Sequence, residues 1–424
     1  MTKLNSKVVN SVFILLILTT IGNGINYCFQ IAMGRMLSVV EFGTLNALLS
    51  FFMMSAVPSG AITALTAKYL VKYNSTDNKQ MVSIFIFRVL RAALIGSLIV
   101  FMIGLIFSPT VSRYLNISSV GLVLYIMILI SLNILFVTII GIAQGLKYFS
   151  ALGLLGVVLP GLKLTLGIIW VALGFKIFGA LMSIIIALIL TIGFGLIYIR
   201  QKTEISDQAD IKLDTTAYFQ FFTSAFLLSA SLSILTNLDM MLISHYLSRD
   251  EAGYYGPAMI LGRIILYAPA ALVLVMYPLV IESHAADPRN TYKLILKVLL
   301  FTTLIIVACV GGLWLISGIA VPLLFGEKFI NSTIYVLPAS LFVVPICYLT
   351  VLMNYAMAVG GTRFLTVTII IGCLLSFLLV EFDHSSVPAV LSTMTLIGLA
   401  VVLVNVAEMT FKYRKSYNNE ARLI

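Results

Sequence analysis

Uninterrupted apolar runs of about 20 residues or more recur along the whole chain, and nothing else in the sequence restricts the fold so sharply. A helix needs about 20 such residues to cross a hydrocarbon core of roughly 30 Å. Inside lipid every backbone amide must find its partner within the protein, so only helices or a closed barrel can span. Barrel strands alternate lipid-facing and lumen-facing residues at every second position. The runs here are continuous, so helices are expected. Composition agrees: 61% of residues are hydrophobic and 10% are charged, with a mean hydropathy of +1.11. Soluble domains lie near one-half apolar and about one-quarter charged, and a soluble core could not cover this much apolar surface.

Twelve spans are predicted, at about 9–33, 43–68, 84–108, 120–143, 151–175, 177–199, 219–246, 255–282, 294–318, 333–358, 364–381 and 387–410. The expected fold class is all-α: a polytopic membrane protein of about twelve transmembrane helices in two six-helix halves. Residues 1–199 form the first bundle, 200–218 a cytoplasmic linker, 219–411 the second bundle and 412–424 a cytoplasmic tail. The start, with Lys3 and Lys7, enters its apolar run without a small-residue cleavage site, so it reads as a retained span. The four cysteines all fall within apolar runs, so neither a structural disulfide nor a metal site is expected.

Orientation follows from Lys and Arg, which concentrate in cytoplasmic loops. With both termini on one side, that side carries nineteen of the 26 and the other side five: Arg35, Arg113, Lys176, Arg249 and Lys328. Lys163 and Arg263 fall within spans. This places both termini in the cytoplasm. It also accounts for the net charge of +10 without a nucleic-acid partner.

Two loop patterns recur at matching places. Leu37-Ser38-Val39-Val40-Glu41-Phe42-Gly43 follows span one, and Leu247-Ser248-Arg249-Asp250-Glu251-Ala252-Gly253 follows span seven, 210 residues later. Ala143-x-Gly145-x-x-x-Phe149 follows span four and Ala358-x-Gly360-x-x-x-Phe364 follows span ten. Pro58 in span two has its counterpart in Pro269 of span eight. Six spans per half is an even number, so both halves enter the membrane in the same sense. Such a parallel repeat is a transporter architecture that permits alternating access around a central site. The loop glycines are expected to supply left-handed backbone, and Glu41 and Glu251 to cap the helices that follow.

These residues resemble those of a known family. Gly34-Arg35-Met36-Leu37-Ser38 with Glu41-Phe42-Gly43, Gln144-Gly145-Leu146-Lys147, Asn237-Leu238-Asp239, His245-Tyr246-Leu247-Ser248 and Leu324-Phe325-Gly326-Glu327-Lys328-Phe329 look like Wzx-type flippases. Those form the polysaccharide transporter branch of the multidrug/oligosaccharidyl-lipid/polysaccharide exporter superfamily. The resemblance covers essentially the whole chain. It implies a MATE-like fold and translocation of a polyprenyl-diphosphate-linked oligosaccharide for O-antigen, capsule or exopolysaccharide synthesis. It also implies a multi-pass protein of the bacterial inner membrane, with a polysaccharide polymerase and chain-length machinery as partners beside the bilayer itself.

Several polar residues within spans are candidates for the work. A charge at mid-membrane is costly and usually faces a cavity or a partner. Lys163, just after Pro160 and Gly161 in span five, is a candidate ligand for a diphosphate or acidic sugar; the alternatives are snorkelling or a pair with an acid such as Asp239. Arg263 in span eight has the planar fork that suits phosphate, against an Arg that reaches the interface by its stem. Arg88 and Arg91 share one face of span three at the cytoplasmic mouth; contact with the anionic leaflet is the plainer reading. Asn23, Asn26 and Gln30 form a polar stripe on span one, able to meet sugar hydroxyls or to glue helices. Asp239 is a proton or sodium coupling site, or else an ion pair or packing hydrogen bond.

Two rivals follow. A drug or cation antiporter would carry acids in its cavity, and the count of Lys163, Arg263, Arg88 and Arg91 against Asp239 speaks for an anionic substrate. A membrane-embedded glycan polymerase needs a sizeable outer loop or a carboxylate cluster, and the loops here are short. No enzyme activity is expected. No nucleotide-binding fingerprint or metal-ligand spacing occurs, so no cofactor is expected, and the drive is an H+ or Na+ gradient or that of the substrate.

Overall fold

A computed structural model describes residues 6–56, 58–75, 79–203, 215–267, 272–273, 276, 279–280, 283, 288–359 and 361–421. Every regular element among them is helical. In chain order these are α1 (Ser6–Met36), α2 (Val39–Ser55), α3 (Pro58–Ser75), α4 (Lys79–Tyr114), α5 (Val120–Gly145), α6 (Phe149–Trp170), α7 (Lys176–Lys202), α8 (Thr215–Tyr246), α9 (Arg249–Arg263), α10 (Pro288–Phe325), α11 (Thr333–Val359), α12 (Thr362–Val380) and α13 (Val387–Ala421). Among the described residues nine segments are long and apolar enough to cross a membrane. One, Phe149–Lys202, runs for 54 residues and contains the expected fifth and sixth spans. The eighth expected span and the 200–218 linker lie partly outside the described residues.

The exposed surface shows why these helices need lipid. Leu98, Ile106, Leu315, Ile319 and Leu403 are 63%, 74%, 75%, 72% and 68% exposed. Contiguous apolar faces of this kind are untenable in water and at ease in hydrocarbon. The chain is a multi-span membrane protein.

Two compact units emerge, Met1–Ala230 and Ser231–Ile424, with the boundary inside α8. Each unit repeats one packing plan. In the first, α5 packs on α3, α4 and α7, and α6 packs on α7. In the second, α11 packs on α9, α10 and α13, and α12 packs on α13. The fourth span of each half is therefore its hub. Missing side chains permit the close approaches. A Cβ on Gly141 of α5 would meet Thr66 of α3 at 2.8 Å, and one on Gly262 of α9 would meet the Ala339 carbonyl of α11 at 3.1 Å. Small residues at helix contacts are the usual way to gain packing in lipid.

The repeat is sharpest at the two loops after spans one and seven. Ser38 and Ser248 both sit in extended backbone at a helix N-cap, and both close a capping box with the residue three positions on. Glu41 accepts from the Ser38 amide at 2.9 Å, and Glu251 from the Ser248 amide at 3.2 Å. Each serine oxygen accepts the glutamate amide at 3.3 Å. The capping expectation holds. The expectation for the glycines does not: Gly43 and Gly253 are buried inside α2 and α9. Gly145 ends α5 against Leu70, and the left-handed residue of that turn is Lys147, at φ 58°. Gly360 lies outside the described residues. The capping box itself turns the chain, so no left-handed residue is required there.

Span two is a broken pair rather than one helix, since α2 ends at Ser55 and α3 starts at Pro58. Proline lacks the amide that a continuous helix would use and suits a first turn. Farther on, α6 ends in a kinked connection, Val171–Phe175, where Gly174 reaches φ 91°, and Lys176 just after it φ 51°. The chain then packs back as α7. Lys176 pairs with Glu41 at 3.3 Å, which brings together two loops that the charge pattern assigns to the outer side.

Candidate functional site

The first unit holds a cation between α1 and α6. The two helices pack closely because Gly22 faces Gly156; a Cβ on Gly22 would sit 2.1 Å from the Gly156 carbonyl oxygen. This contact sets Lys163 opposite the polar stripe of α1. The Lys163 ammonium donates to Asn26 Oδ1 at 2.5 Å and lies 4.4 Å from the centre of the Phe29 ring. Asn26 is held for this by its own Nδ2, which donates to the Gly22 carbonyl at 3.2 Å. One helical turn on, Gln30 Oε1 is buried with no hydrogen-bond partner among the described residues. Asn23, on the same stripe, is exposed.

Among the described residues no carboxylate lies within ion-pairing distance of Lys163. Taking an ammonium out of water carries an effective penalty of several kcal/mol. A hydrogen bond from a charged group returns about 1.5–3 kcal/mol and a cation–π contact about 0.5–2 kcal/mol. The neutral partners offset part of the penalty.

The second unit holds a different arrangement. Asp239 on α8 is 1% exposed and pairs with Arg263 at 3.0 Å. Tyr255 donates to the other carboxylate oxygen at 2.5 Å. Arg263 also donates to Asn237 Oδ1 at 3.2 Å and to the Thr236 carbonyl at 3.0 Å. Its Nε is buried with no partner among the described residues. Arg263 ends α9, where the helix tightens into the 3-10 turn Ile264–Leu266. A buried pair of this kind becomes strongly destabilising when one member is removed.

This geometry revises the sequence reading of the charges. Arg263 already has its counter-ion in Asp239, so the two do not count against each other as free groups. Asp239 takes the ion-pair alternative with Arg263 rather than with Lys163. Arg88, partly buried, and Arg91, exposed, sit on α4. Sequence reasoning missed Tyr255, an aromatic among many, and Phe29. It also missed Glu408, which falls within the last candidate span, Val387–Tyr413. Among the described residues no cluster of His, Cys, Asp and Glu could hold a metal ion.

Fold and site define a class: a helical membrane protein of two repeated bundles with polar groups set into its spans. Solved structures share this fold. A multidrug resistance MATE family transporter of the MOP superfamily, in an inward-facing conformation, aligns at TM-score 0.79 and 12% identity over 94% of this chain and 98% of its own. The lipid II flippase MurJ aligns at TM-score 0.72 and 14% identity over 93% and 87%. A MOP superfamily transporter from Pyrococcus furiosus, described by a reverse polarity of its binding pocket, aligns at 0.66 and 15% over 95% of each chain. No curated protein sequence matches. Residues 8–284 match the polysaccharide biosynthesis protein family, and the chain belongs to that family.

Proposed function

We propose that this protein is a flippase. It moves a polyprenyl-diphosphate-linked oligosaccharide across the bacterial cytoplasmic membrane by alternating access, for surface polysaccharide synthesis, and hands it to a polymerase and chain-length machinery. One observation carries the reading: Lys163, set between spans, has Asn26 and Phe29 against it and no carboxylate partner among the described residues. A diphosphate supplies the missing anion, and charge-assisted hydrogen bonds to phosphate are among the stronger polar contacts. The Gln30 oxygen beside it accepts from a sugar hydroxyl. Membership of a polysaccharide biosynthesis family fits a glycan cargo.

In this scheme Asp239 and Arg263 form the coupling element. Protonation of Asp239 would release Arg263 to the substrate path. A small-cation antiporter would need an acid open to its cargo, whereas both Asp239 oxygens are occupied.

The test is leaflet exchange of a labelled polyprenyl-diphosphate oligosaccharide in proteoliposomes. Lys163→Met should lower exchange about 10-fold or more, the scale of one lost charged hydrogen bond, and Lys163→Arg should keep most of it. Exchange by Lys163→Met at the native rate would sink the proposal. So would efflux of small organic cations by a protein that moves no lipid-linked glycan.

A further inference from the structure

The second unit contains a cavity of about 290 Å³, and neither Asp239 nor Arg263 lines it. Its walls come from the start of α10, the end of α11, the start of α12 and the last turns of the α13 span. These segments come together around the Glu408–Lys412 turn of α13. The C-terminal residues of the chain, with Arg414 and Lys415, follow this turn.

Its lining mixes charged, aromatic and apolar side chains. Glu408 and Lys412 pair across one turn of α13, with side chains 26% and 66% exposed. Beside them Tyr292 and Tyr413 stack face to face at 4.2 Å, and Tyr292 is fixed by a 3.2 Å hydrogen bond to Thr410. The rest of the lining is largely apolar, with Leu352 and Leu365 buried, and adds Tyr355 and Asn405 as further polar side chains. Phe364, also in the lining, is 39% exposed. The cavity therefore offers both signs of charge, tyrosine rings and apolar side chains.

We infer that this cavity binds the headgroup of a zwitterionic glycerophospholipid that carries a primary amine. The ammonium meets Glu408 beside the tyrosine rings, where aromatic faces favour cations. The phosphodiester meets Lys412. The glycerol and first methylenes lie along Phe364 and Leu365. An anionic lipid brings nothing for Glu408 and is repelled by it. A simple cation meets the same conflict at Lys412. The volume sits at the low end for ligand sites, suited to a small head whose tails stay in the bilayer. This inference is independent of the flippase reading.

The test is native mass spectrometry of the full-length protein, delipidated and offered equal amounts of dioleoyl phosphatidylethanolamine and phosphatidylglycerol. One phosphatidylethanolamine should be retained at least about 10-fold over phosphatidylglycerol. Glu408→Gln and Lys412→Gln should each bring the ratio close to one. Equal retention by the native protein, or an unchanged ratio in both variants, overturns the inference. A photoreactive phosphatidylethanolamine analogue gives a readout that does not depend on variants folding. It should label peptides within 352–365 and 405–413 of the native protein, and labelling confined to other regions also overturns the inference.

Discussion

The first spans of the two units meet a cation at the same positions and treat it in opposite ways. Asn26 and Thr236 are equivalent by the 210-residue repeat, as are Phe29 and Asp239. In the first unit the cation bonds to the Asn26 side chain and lies against the Phe29 ring. In the second it bonds to the Thr236 carbonyl and pairs with Asp239. The cations come from different places, Lys163 from the fifth span of its half and Arg263 from the second. The repeat conserved a location and not a chemistry. One unit pairs its cation with a carboxylate; the other holds it against an amide and a ring, with no carboxylate partner among the described residues.

The most damaging way to break this comparison is Asp239→Ala. It leaves Arg263 buried without its counter-ion and should destabilise the second unit by about 3–5 kcal/mol. Thermal unfolding in detergent would show it, and removing Arg263 together with Asp239 should recover a large part. Next comes Phe29→Asp, which makes the first unit resemble the second. With its own carboxylate beside Lys163, the protein should fold and insert but lose about 10-fold or more of glycan-lipid exchange, since an internal acid competes with the diphosphate. Native exchange in that variant would mean that Lys163 does not meet the substrate.

A smaller effect tests how the Lys163 site is assembled. Gly22→Ala places a methyl against the Gly156 carbonyl and should cost about 1–3 kcal/mol by overpacking. Because it shifts α1 along α6, exchange should fall as well. The smallest effect tests the symmetry. Ser38→Ala and Ser248→Ala each remove a cap of the same geometry, so each should cost about 1 kcal/mol. Hydrogen exchange at the first turns of α2 and α9 should rise by similar amounts. A large inequality would show that the two boxes carry different loads.

The sites were partly legible before the fold was known. Lys163, Asn26, Gln30, Arg263 and Asp239 stand out as polar groups in apolar runs, because lipid makes any such group expensive. Their partners did not stand out. Whether Asp239 served Lys163 or Arg263 depended on which helices adjoin, and spacing along the chain is silent on that. Phe29 and Tyr255 were hidden because aromatic residues are common in spans and only their neighbours make them polar partners. The loop glycines misled for a related reason. A Leu-Ser-x-x-Glu-x-Gly pattern fixes the capping box by local hydrogen bonds, while the glycine at its end serves packing inside the helix.

By itself, the sequence determined that this chain crosses a membrane repeatedly as helices, that its halves repeat, and where its caps fall. Those properties depend on hydrophobic length and on contacts within a few residues. Only the tertiary structure decided which charge is neutralised. Missing side chains at Gly22 and Gly262 set how closely neighbouring helices approach, and that approach leaves Lys163 against an amide and a ring, and Arg263 against a carboxylate. In a low-dielectric interior a few ångströms of helix register separate a cation set against a carboxylate from one set against neutral groups.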